Sequence, residues 1–422
     1  MSLPKNITAV EFNRLELAVT QDELAQYPLM ERLSKHEREK VVSFNVFVRP
    51  SNNISVFFIT CDDKVYGMGE NGYEVNILAM EDRLFRCDQV HRPALVKGLS
   101  SKNIKSVNIG GVIGAALDHD GALYWWGKDV TWRIDDVRLP EPAGYGNTKF
   151  TSFCCGHAML AAINDKGQVF VCGPFDYNSR NYMYTHEIKF DQPVVSLSCG
   201  LSHLALVTDG RAYTIGLGTQ GQRGVPLYPS SSFTPRNNQR DKQTEVVLNE
   251  PCKFVVCGPF STFFVTASGK LWACGANCAQ YGYLGVSSKA PIIKIPQLVA
   301  INSAVKHMLT TCDPVDYCTS LAFTDDGLYS WNGEGVGMPC KVNGDEAHFV
   351  STISPHNVMI RVVHPSPPGP VTLSDLLLGK LDVATMLIKD LHLELEKLNG
   401  SQGDETAPNI ESLALANSKV LA

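Results

Sequence analysis

The chain has 422 residues, of which 44% are hydrophobic and 9% aromatic, and this predicts a globular protein with one large core or two modest ones. Its formal charge is −6, from 37 basic and 43 acidic side chains, with no dense basic patch. That balance excludes recognition of nucleic acid or of an anionic membrane through charge. We therefore expect no direct nucleic-acid binding and no membrane insertion.

The 13 cysteines are interpreted as thiols in a reducing compartment. Residues 1–20 lack the continuous apolar core of a signal peptide, so we expect an intracellular protein, cytoplasmic and/or nuclear. Cys155, Cys199 and Cys257 occupy equivalent places in successive repeats, as small buried residues of an inner strand would. Zinc ligation is the alternative. Because no Cys-x-x-Cys pair occurs and Cys154–Cys155 is a poor chelate, we predict no metal and no cofactor.

The amino-terminal region is predicted to combine strands with short helices. Residues 5–18 hold enough β-branched and apolar residues for a strand or two. Residues 21–40 have a helical pattern, with a capping-box sequence at Ser34–Glu37. We expect this helical segment to lie outside the propeller.

From Val41 onward a β-hairpin signature recurs six times. In the clearest copy an apolar run reaches the turn Asp209–Gly210 and a second run leaves it. A glycine follows the turn's second residue after six positions in every copy: Gly69, Gly127, Gly173, Gly216, Gly275 and Gly333. Successive glycines are 43 to 59 residues apart, which is the size of a four-stranded propeller blade. A β-sandwich is the alternative, but it gives no reason for a turn repeated at fixed offsets.

Further residues recur near the predicted hub. Four glycines precede the turn by ten or eleven residues and are predicted to let neighbouring backbones approach: Gly110, Gly156, Gly200 and Gly258. His157 and His203 follow two of these glycines, and we interpret them as structural hydrogen-bonding residues rather than general bases. The indoles of Trp125–Trp126 are expected to pack between blades, with stacking on a ligand as the alternative.

The sixth repeat is degenerate. Trp331 falls one place earlier than Trp126, which indicates a deleted residue. Residues 348–353 and 357–363 supply two strands with no hairpin to complete them. Because an open sheet edge would leave backbone groups unsatisfied, we predict that residues 5–18 join these strands as a seventh blade.

The region after the repeats is predicted to contain a proline-rich linker, 365–371, an amphipathic helix, 372–398, and a disordered tail, 399–422. The helix has an apolar stripe of heptad spacing. Candidate protein-binding residues on the stripe are Leu377, Leu381, Ile388, Leu391 and Leu395. The stripe either packs on the chain's own propeller or pairs with another helix as a coiled coil, in a homodimer or with a partner.

One insertion, residues 217–245, is long and rich in Ser, Pro, Asn and Gly. It is either a disordered surface loop or a binding element that presents a short linear motif. Its candidate protein-binding residues are Arg223, Tyr228, Phe233, Arg236 and Arg240.

The repeats resemble those of the regulator-of-chromosome-condensation (RCC1) propellers, in residues 65–72, 120–127, 199–216 and 269–277. The resemblance covers residues 28–364, and the opening is similar to the family branch that carries a BTB domain. Nucleotide exchange on a Ran-like small GTPase is implied by the family, and substrate adaptation in a ubiquitin ligase complex by that branch. The family's Gly-Gln-Leu-Gly phrase is altered to Gly221–Gly224 and Gly282–Gly285, which weakens the first implication.

The sequence therefore predicts an all-β protein, a seven-bladed β-propeller closed by the N-terminal segment, with a C-terminal helix. The predicted domains are an amino-terminal segment, 1–40, and the propeller, 41–364, followed by the linker, helix and tail. No phosphate-binding glycine loop with lysine, His-Glu-x-x-His or Gly-x-Ser-x-Gly motif occurs, so no catalytic residue is assigned. We expect a non-catalytic protein-interaction scaffold or adaptor whose partners are proteins. The two alternatives are the exchange factor, with a small GTPase as partner, and the ubiquitin-ligase adaptor.

Overall fold

The computed structural model describes residues 7–11, 14–48, 54–71, 77–80, 89–128, 137–142, 148–173, 186–226, 243–277, 284–310, 319–331, 337–342 and 356–364. The backbone divides into two compact units, one of residues 1–33 and 38–367 and one of residues 34–37 and 368–422. In the second unit the Ser34 N–H donates to Glu37 Oε2 at 2.7 Å and the Glu37 N–H donates to Ser34 Oγ at 3.2 Å. The predicted capping box is therefore confirmed.

The described elements are almost all strands. Three short helices are α1 (Gln21–Leu24), the 3₁₀ helix η1 (Met30–Arg32) and α2 (Lys35–Lys40). The strands are β1 (Ile7–Glu11), β2 (Arg14–Thr20), β3 (Val41–Val48), β4 (Ile54–Thr60), β5 (Val65–Glu70), β6 (Gln89–Leu95), β7 (Ile104–Ile109), β8 (Ile113–Asp118), β9 (Leu123–Lys128), β10 (Val137–Pro142), β11 (Phe150–Cys155), β12 (Leu160–Asn164), β13 (Val169–Cys172), β14 (His186–Ile188), β15 (Val194–Cys199), β16 (His203–Thr208), β17 (Arg211–Gly216), β18 (Thr244–Val246), β19 (Cys252–Cys257), β20 (Ser261–Thr266), β21 (Leu271–Ala276), β22 (Ile292–Leu298), β23 (Val305–Thr310), β24 (Ser320–Thr324), β25 (Gly327–Trp331), β26 (Cys340–Lys341) and β27 (His356–Val363).

These strands form six sheets, one for each hairpin repeat. The second to sixth sheets are four-stranded antiparallel meanders: β7–β10, β11–β14, β15–β18, β19–β22 and β23–β26. The first sheet has seven strands in the order β1-β2-β27-β3-β4-β5-β6, so it contains a meander, β3–β6, with three added strands.

The hairpin turns follow the predicted chemistry, with one shift of register. In the fourth sheet Thr208 pairs with Arg211, and the turn residues Asp209–Gly210 both have positive φ, 51° and 72°. A two-residue turn of this kind matches the twist of its strands, and glycine adopts its second position without steric cost.

In the sixth sheet Thr324 pairs with Gly327, so the turn is Asp325–Asp326. The second residue of this turn is therefore Asp326, one position before the Gly327 from which the interval of six residues is counted. Gly333 lies outside the described residues. The other five glycines that close the repeats have φ between 103° and 136°, at the ends of the third strands.

A bulge recurs at the second residue of the first strand of every meander. The bulged residues are Val42, Lys105, Thr151, Val195, Lys253 and Lys306. Because a bulge increases local twist, the same bend at the same place turns each sheet by a similar amount. In four sheets the next residue is serine: Ser43, Ser106, Ser152 and Ser196. The serine that recurs at this position is the sequence signal that could have revealed the bulges.

Six apolar clusters occupy the interfaces between neighbouring sheets. Each interface contains buried side chains from both of its sheets: Phe57 and Trp126 between the first and second, Leu117 and Leu160 between the second and third, Ala161 and Leu204 between the third and fourth, Val207 and Phe264 between the fourth and fifth, Phe263 and Trp331 between the fifth and sixth, and Phe323 and Phe58 between the sixth and first. Since the sixth sheet meets the first, the sheets close a ring. The predicted all-β propeller is confirmed.

The tryptophan pair packs between sheets, as the repeat predicts. The ring of Trp126 lies edge-on to Phe57 of the first sheet at 5.8 Å, and its Nε1–H donates to the Ile77 carbonyl at 2.7 Å. The ring of Trp331 meets Phe263 in the same way, at 6.1 Å. Half-buried Trp125 packs instead on the cluster between the second and third sheets.

The prediction of a seventh blade is wrong, because the two chain ends join the first sheet instead of forming one of their own. Strand β2 pairs in parallel with β27, through Ala18 with Arg361 and Thr20 with Val363. On its other side β27 pairs antiparallel with β3. The backbone groups that we expected to require a separate sheet are satisfied by this continuation.

The amino-terminal helical segment was expected outside the propeller, but its apolar side chains pack between two of the propeller's sheets. Leu24, Tyr27, Met30 and Leu33 are buried in the cluster that joins the sixth sheet to the first. A histidine adds a polar link between the chain ends. His364 Nε2 lies 2.8 Å from the Val41 carbonyl, and its Nδ1 lies 2.7 Å from Gln21 Nε2. Because the carbonyl accepts, Nε2 carries the ring proton and Nδ1 accepts from the glutamine amide.

The outer edges of the sheets are blunted against pairing with other strands. The longer outer strands contain prolines, Pro93 in β6, Pro140 and Pro142 in β10, and Pro296 in β22, and each pairs with an irregular register. The outer strands β14, β18 and β26 are only two or three residues long. Proline lacks the N–H that a ladder needs, so addition of a partner strand at these edges is disfavoured.

The predicted linker at 365–371, helix and coiled coil at 372–398, and tail at 399–422 lie outside the described residues. No helix among the residues described is long and apolar enough to cross a membrane.

The Gly110→Ala substitution is expected to destabilise the protein by about 2 kcal/mol or more, because the added Cβ would lie 1.8 Å from the Gly156 carbonyl oxygen. Urea unfolding measures the loss. The matched control is Gly67→Ala, whose Cβ would meet the flexible methyl end of Met80 at 2.7 Å. Equal effects of the two substitutions would contradict the close approach of the second and third sheets.

Candidate protein-docking face

The two ends of the sheets differ in their connections. In an antiparallel meander the connections from first to second and from third to fourth strand emerge at one end, which we name the long-loop face. The turns between second and third strands emerge at the other end, which we name the hairpin face. Third-to-fourth connections range from residues 129–136 in the second sheet to 217–243 in the fourth, whereas hairpin turns are as short as 209–210 and no longer than 61–64. Length variation is therefore concentrated on the long-loop face.

A row of glycines fixes the centre of the long-loop face. A Cβ on Gly110 would lie 1.8 Å from the Gly156 carbonyl oxygen, and one on Gly156 would lie 2.3 Å from that of Gly200. A Cβ on Gly200 would in turn lie 2.6 Å from the Gly258 oxygen. Only a residue without a side chain permits this approach, so the backbones of four successive sheets touch here.

The strands beside this row exchange hydrogen bonds between sheets. Asn108 Oδ1 accepts from the Cys155 N–H at 3.2 Å, and the Cys155 thiol lies 3.4 Å from the Asn108 carbonyl. Two sheets further on, Ser198 Oγ accepts from the Cys257 N–H at 2.9 Å, and the Cys257 thiol lies 3.2 Å from the Ser198 carbonyl. The recurrent cysteines are thus inter-sheet bonding residues.

His203 is fully buried and links the fourth sheet, the fifth sheet and the insertion. The Thr262 hydroxyl donates to the Gln222 carbonyl at 2.6 Å, and His203 Nε2 lies 2.9 Å from the same hydroxyl oxygen. Because the threonine proton is used for the carbonyl, the imidazole is the donor and carries its proton on Nε2. Burial lowers the pKa of His203 to about 4, so the ring is neutral near pH 7.

His157 is placed differently, although its sequence position is similar. It lies in the connection from β11 to β12, and a Cβ on Gly111 would be 2.0 Å from its Nδ1. Its carbonyl accepts from the Val112 N–H at 2.7 Å. The half-buried His157 thus packs on the second sheet, whereas His203 reaches forward to the fifth.

The first part of the insertion, residues 217–226, is anchored by hydrogen bonds. The Leu217 N–H donates to the Ser202 carbonyl at 2.8 Å, and the Thr214 hydroxyl donates to the Arg223 carbonyl at 2.8 Å. The half-buried guanidinium of Arg223 donates to the Thr244 hydroxyl, and burial lowers its pKa. The other insertion residues predicted to bind partners, Tyr228, Phe233, Arg236 and Arg240, lie outside the described residues.

Two asparagines that the sequence reasoning missed organise other loops of the same face. Asn71 Oδ1 accepts from the Leu78 N–H at 2.9 Å, and Asn277 Oδ1 accepts from the Leu284 N–H at 3.0 Å. Each asparagine stands two residues after a closing glycine, Gly69 or Gly275, and their recurrence was the signal that could have revealed them. The long loops therefore begin from bonded, buried positions.

The hairpin face has short turns with paired charges. Ion pairs lie at or beside these turns: Lys64 with Asp62, Arg211 with Glu245, Lys270 with Glu250, Lys306 with Asp325, and Lys341 with Asp326. Hydrogen bonds from Thr324, Tyr329 and Lys341 hold the pKa of the Asp326 carboxyl well below its usual range. Such exposed pairs contribute little to stability, but in each pair a basic group lies next to an acidic one.

Burial favours the neutral forms of one further histidine and two cysteines of the interior. Burial lowers the pKa of His307 to about 4 and raises the pKa of Cys252 to about 12. It also raises the pKa of Cys274. In the part of the chain that the structure describes, no group of three or more His, Cys, Asp or Glu residues is placed to hold a metal ion.

The predicted helix-stripe residues Leu377, Leu381, Ile388, Leu391 and Leu395 are not among the residues described. Among the predicted site residues that are described, the structure brings together Arg223, His203 and the closing glycine Gly216 around the base of the insertion. It places His157 two sheets away from the fifth sheet, beside Gly111.

The fold and its hub define the chain as a β-propeller built from hairpin repeats, and comparison with known proteins identifies the repeat. The chain is 26% identical over 250 residues to the regulator of chromosome condensation of Xenopus laevis, which covers 52% of this chain and 56% of the relative. It is 28% identical over 193 residues to the probable E3 ubiquitin-protein ligase HERC4 of Rattus norvegicus, which covers 42% of this chain and 18% of the relative. The chain thus spans less than two thirds of the length of these relatives. No protein-family model matches it.

Solved structures show the same fold. Prp20p from Saccharomyces cerevisiae superposes with a TM-score of 0.56 at 14% identity, covering 77% of this chain and 90% of that one. Human WBSCR16 superposes with a TM-score of 0.52 at 16% identity, covering 69% and 80%. The resemblance predicted from the repeats is confirmed: the chain has the β-propeller fold and is similar to propellers of the RCC1 type. The finer resemblance to the BTB-bearing branch stays a prediction.

Acidification is expected to destabilise the fold between pH 6.5 and about 4 because of its buried histidines. In the unfolded chain an imidazole takes up a proton near pH 6.5, whereas in the folded chain His203 and His307 do so near pH 4. The stabilisation is therefore complete above pH 6.5 and is lost as the pH falls toward 4, by about 1–3 kcal/mol for each histidine. Urea unfolding at a series of pH values measures this slope.

The matched variants are His203→Gln, which keeps a donor amide but cannot titrate in this range, and His119→Gln at an exposed turn position. We expect His203→Gln to be less stable at neutral pH and to show a shallower slope, and His119→Gln to keep the slope. An unchanged slope in His203→Gln would show that the His203 ring titrates normally.

Proposed function

We propose that this chain is a non-catalytic protein-docking platform whose long-loop face binds protein partners. The observation that carries the proposal is the contrast between a fixed frame and variable connections. The frame is fixed by glycine contacts and hydrogen bonds between sheets, whereas the third-to-fourth connections of the same face differ widely in length. Loops held by a rigid scaffold are where proteins most often place their binding residues.

The interior chemistry supports a binding role. Catalysis by histidine or cysteine needs a side chain that reaches a substrate and titrates near the working pH. His203 is fully buried, and burial displaces its pKa and those of His307, Cys252 and Cys274 away from neutrality. These groups suit structural roles. An intracellular location is part of the proposal, because all nine described cysteines are free thiols.

Nucleotide exchange on a Ran-like small GTPase is the second candidate. It is favoured by the relatives named regulator of chromosome condensation and by the structure of Prp20p, which was studied for its binding to Gsp1p and histones. Exchange proceeds by binding and distortion of the GTPase, so it requires no acid–base group of the propeller. We rank this candidate second because residues 221–224 and 282–285 depart from the family's Gly-Gln-Leu-Gly phrase.

Substrate adaptation in a ubiquitin ligase complex is a third candidate, favoured by the relatives named as E3 ubiquitin-protein ligases. It is a special case of docking, in which one partner is the substrate. Association through the helix at 372–398, including a homodimer, is retained as a proposal on the strength of its heptad spacing alone.

Partner capture with the full chain tests the docking proposal. The loop variant replaces residues 227–242 by a short Gly-Ser linker, and the matched control reverses two charges of the hairpin face, Lys64→Glu and Lys270→Glu. We expect the loop variant to lose bound partners by about tenfold and the control to keep them, because specific contacts are concentrated in a few interface residues. Circular dichroism checks that both remain folded. Partners lost with the control and kept with the loop variant would contradict the proposal.

Nucleotide release separates the first two candidates. Ran loaded with a fluorescent guanosine diphosphate is mixed with the full chain and an excess of unlabelled nucleotide, with the regulator of chromosome condensation as positive control. We expect the release rate to equal that of Ran alone. Acceleration that grows with the concentration of the chain would establish exchange and replace the scaffold as the first choice.

A further inference from the structure

The interface between the third and fourth sheets brings two thiols together. Cys154 is the second-last residue of β11 and Cys199 is the last residue of β15, the first strands of these sheets, and their Sγ atoms are 2.8 Å apart. Cys199 is buried and Cys154 is half-buried. The two residues are 45 positions apart in the sequence, so the contact is created by the packing of one sheet on the next.

The neighbouring interfaces show that this contact is not a general feature of the repeat. At the corresponding place in the second sheet stands Asn108, and in the fourth sheet Ser198. Each of them accepts the N–H of the following sheet's cysteine, Cys155 or Cys257. In the third sheet the corresponding residue is itself a cysteine, Cys154, and it meets the thiol of Cys199. A polar acceptor has therefore been replaced by a second thiol at one interface.

We propose that Cys154 and Cys199 form an oxidation site, at which hydrogen peroxide converts the two thiols into a disulfide that joins the third and fourth sheets. The sulfur of Cys154, deprotonated, attacks one peroxide oxygen and breaks the O–O bond, which gives a sulfenic acid and, after proton transfer, water. The sulfur of Cys199 then attacks the sulfenic sulfur, forms the S–S bond and expels a second water. Two thiols are oxidised by two electrons, and one peroxide is reduced.

Proximity makes the pair specific. A disulfide needs its sulfurs about 2.0 Å apart, so they must close by less than about 1 Å from the observed contact. Burial and the neighbouring thiol raise the pKa of Cys154, which keeps it protonated and makes the first step slow. Once that step occurs, Cys199 is already in place to resolve the sulfenic acid. The disulfide would link the third and fourth sheets at the hub. Because it closes a loop of the chain, it would also constrain the unfolded state.

Peptide mapping of the full chain tests the proposal. The reduced protein is treated with increasing hydrogen peroxide, its remaining thiols are blocked with N-ethylmaleimide, and it is digested with trypsin. We expect a cross-linked product of peptides 150–166 and 190–211, which contain the two cysteines, and the loss of two free thiols per chain. Dithiothreitol is expected to reverse both changes. The oxidised protein is also expected to melt a few degrees higher than the reduced one.

Cysteine variants assign the bond. Cys154→Ser places at this position the residue that the fourth sheet already has, Ser198, and it is expected to fold and to abolish the cross-link. Cys155→Ser, on the same peptide, and Cys257→Ser are matched controls and are expected to keep it. The proposal is overturned if the wild-type map contains no such product, if the product persists in Cys154→Ser, or if peroxide carries Cys154 to the sulfinic acid without a cross-link. The wild-type map decides the matter even if a variant does not fold.

Discussion

Direct contact between the backbones of neighbouring sheets at the hub is the constraint on which the rest of the structure depends. At Gly110, Gly156 and Gly200 no side chain separates one sheet from the next, and a Cβ would meet a carbonyl oxygen. Inter-sheet hydrogen bonds at Asn108 and Ser198 hold the same strands in register. With the first strands so close, the apolar side chains further out must fill the wedge between sheets. They do so as six separate clusters, each shared by two neighbours.

A ring of this kind must be closed between its first and last modules, and here both chain ends take part. Parallel pairing of β2 with β27 and the continuation of β27 into β3 place the ends within the first sheet. Buried residues of the amino-terminal segment, among them Leu24 and Met30, then fill the interface with the sixth sheet. Closure therefore depends on contacts between segments that are distant in sequence, and loss of β2 or β27 with its neighbouring residues would expose both a sheet edge and an apolar surface.

The sheets that stabilise the fold are distinct from the loops that we propose to bind partners. Desolvation of His203 favours its neutral form. His203 and Cys257 form hydrogen bonds between sheets. Loops of the long-loop face begin from anchored residues such as Asn71, Asn277 and Gln222, so their length can change without disturbing the sheets. Proline and irregular register at the outer edges disfavour strand addition. Docking through the loops of the long-loop face is the mode of association that we propose.

The sequence by itself determined the repeat, the hairpins and the hub glycines, because these depend on local turn chemistry and on the absence of a side chain at fixed intervals. It also predicted the capping box at Ser34–Glu37. It did not determine the number of sheets, since the local pattern of β27 does not say whether this strand pairs with β2, with β3 or with both. The tertiary structure shows that it pairs with both. The burial of Leu24, the reach of His203 to the fifth sheet and the meeting of Cys154 with Cys199 were likewise decided by the packing of sheets that are distant in sequence. Local sequence patterns indicate which strand a residue occupies. Its neighbour across the interface with the next sheet depends on how the sheets pack in the closed ring.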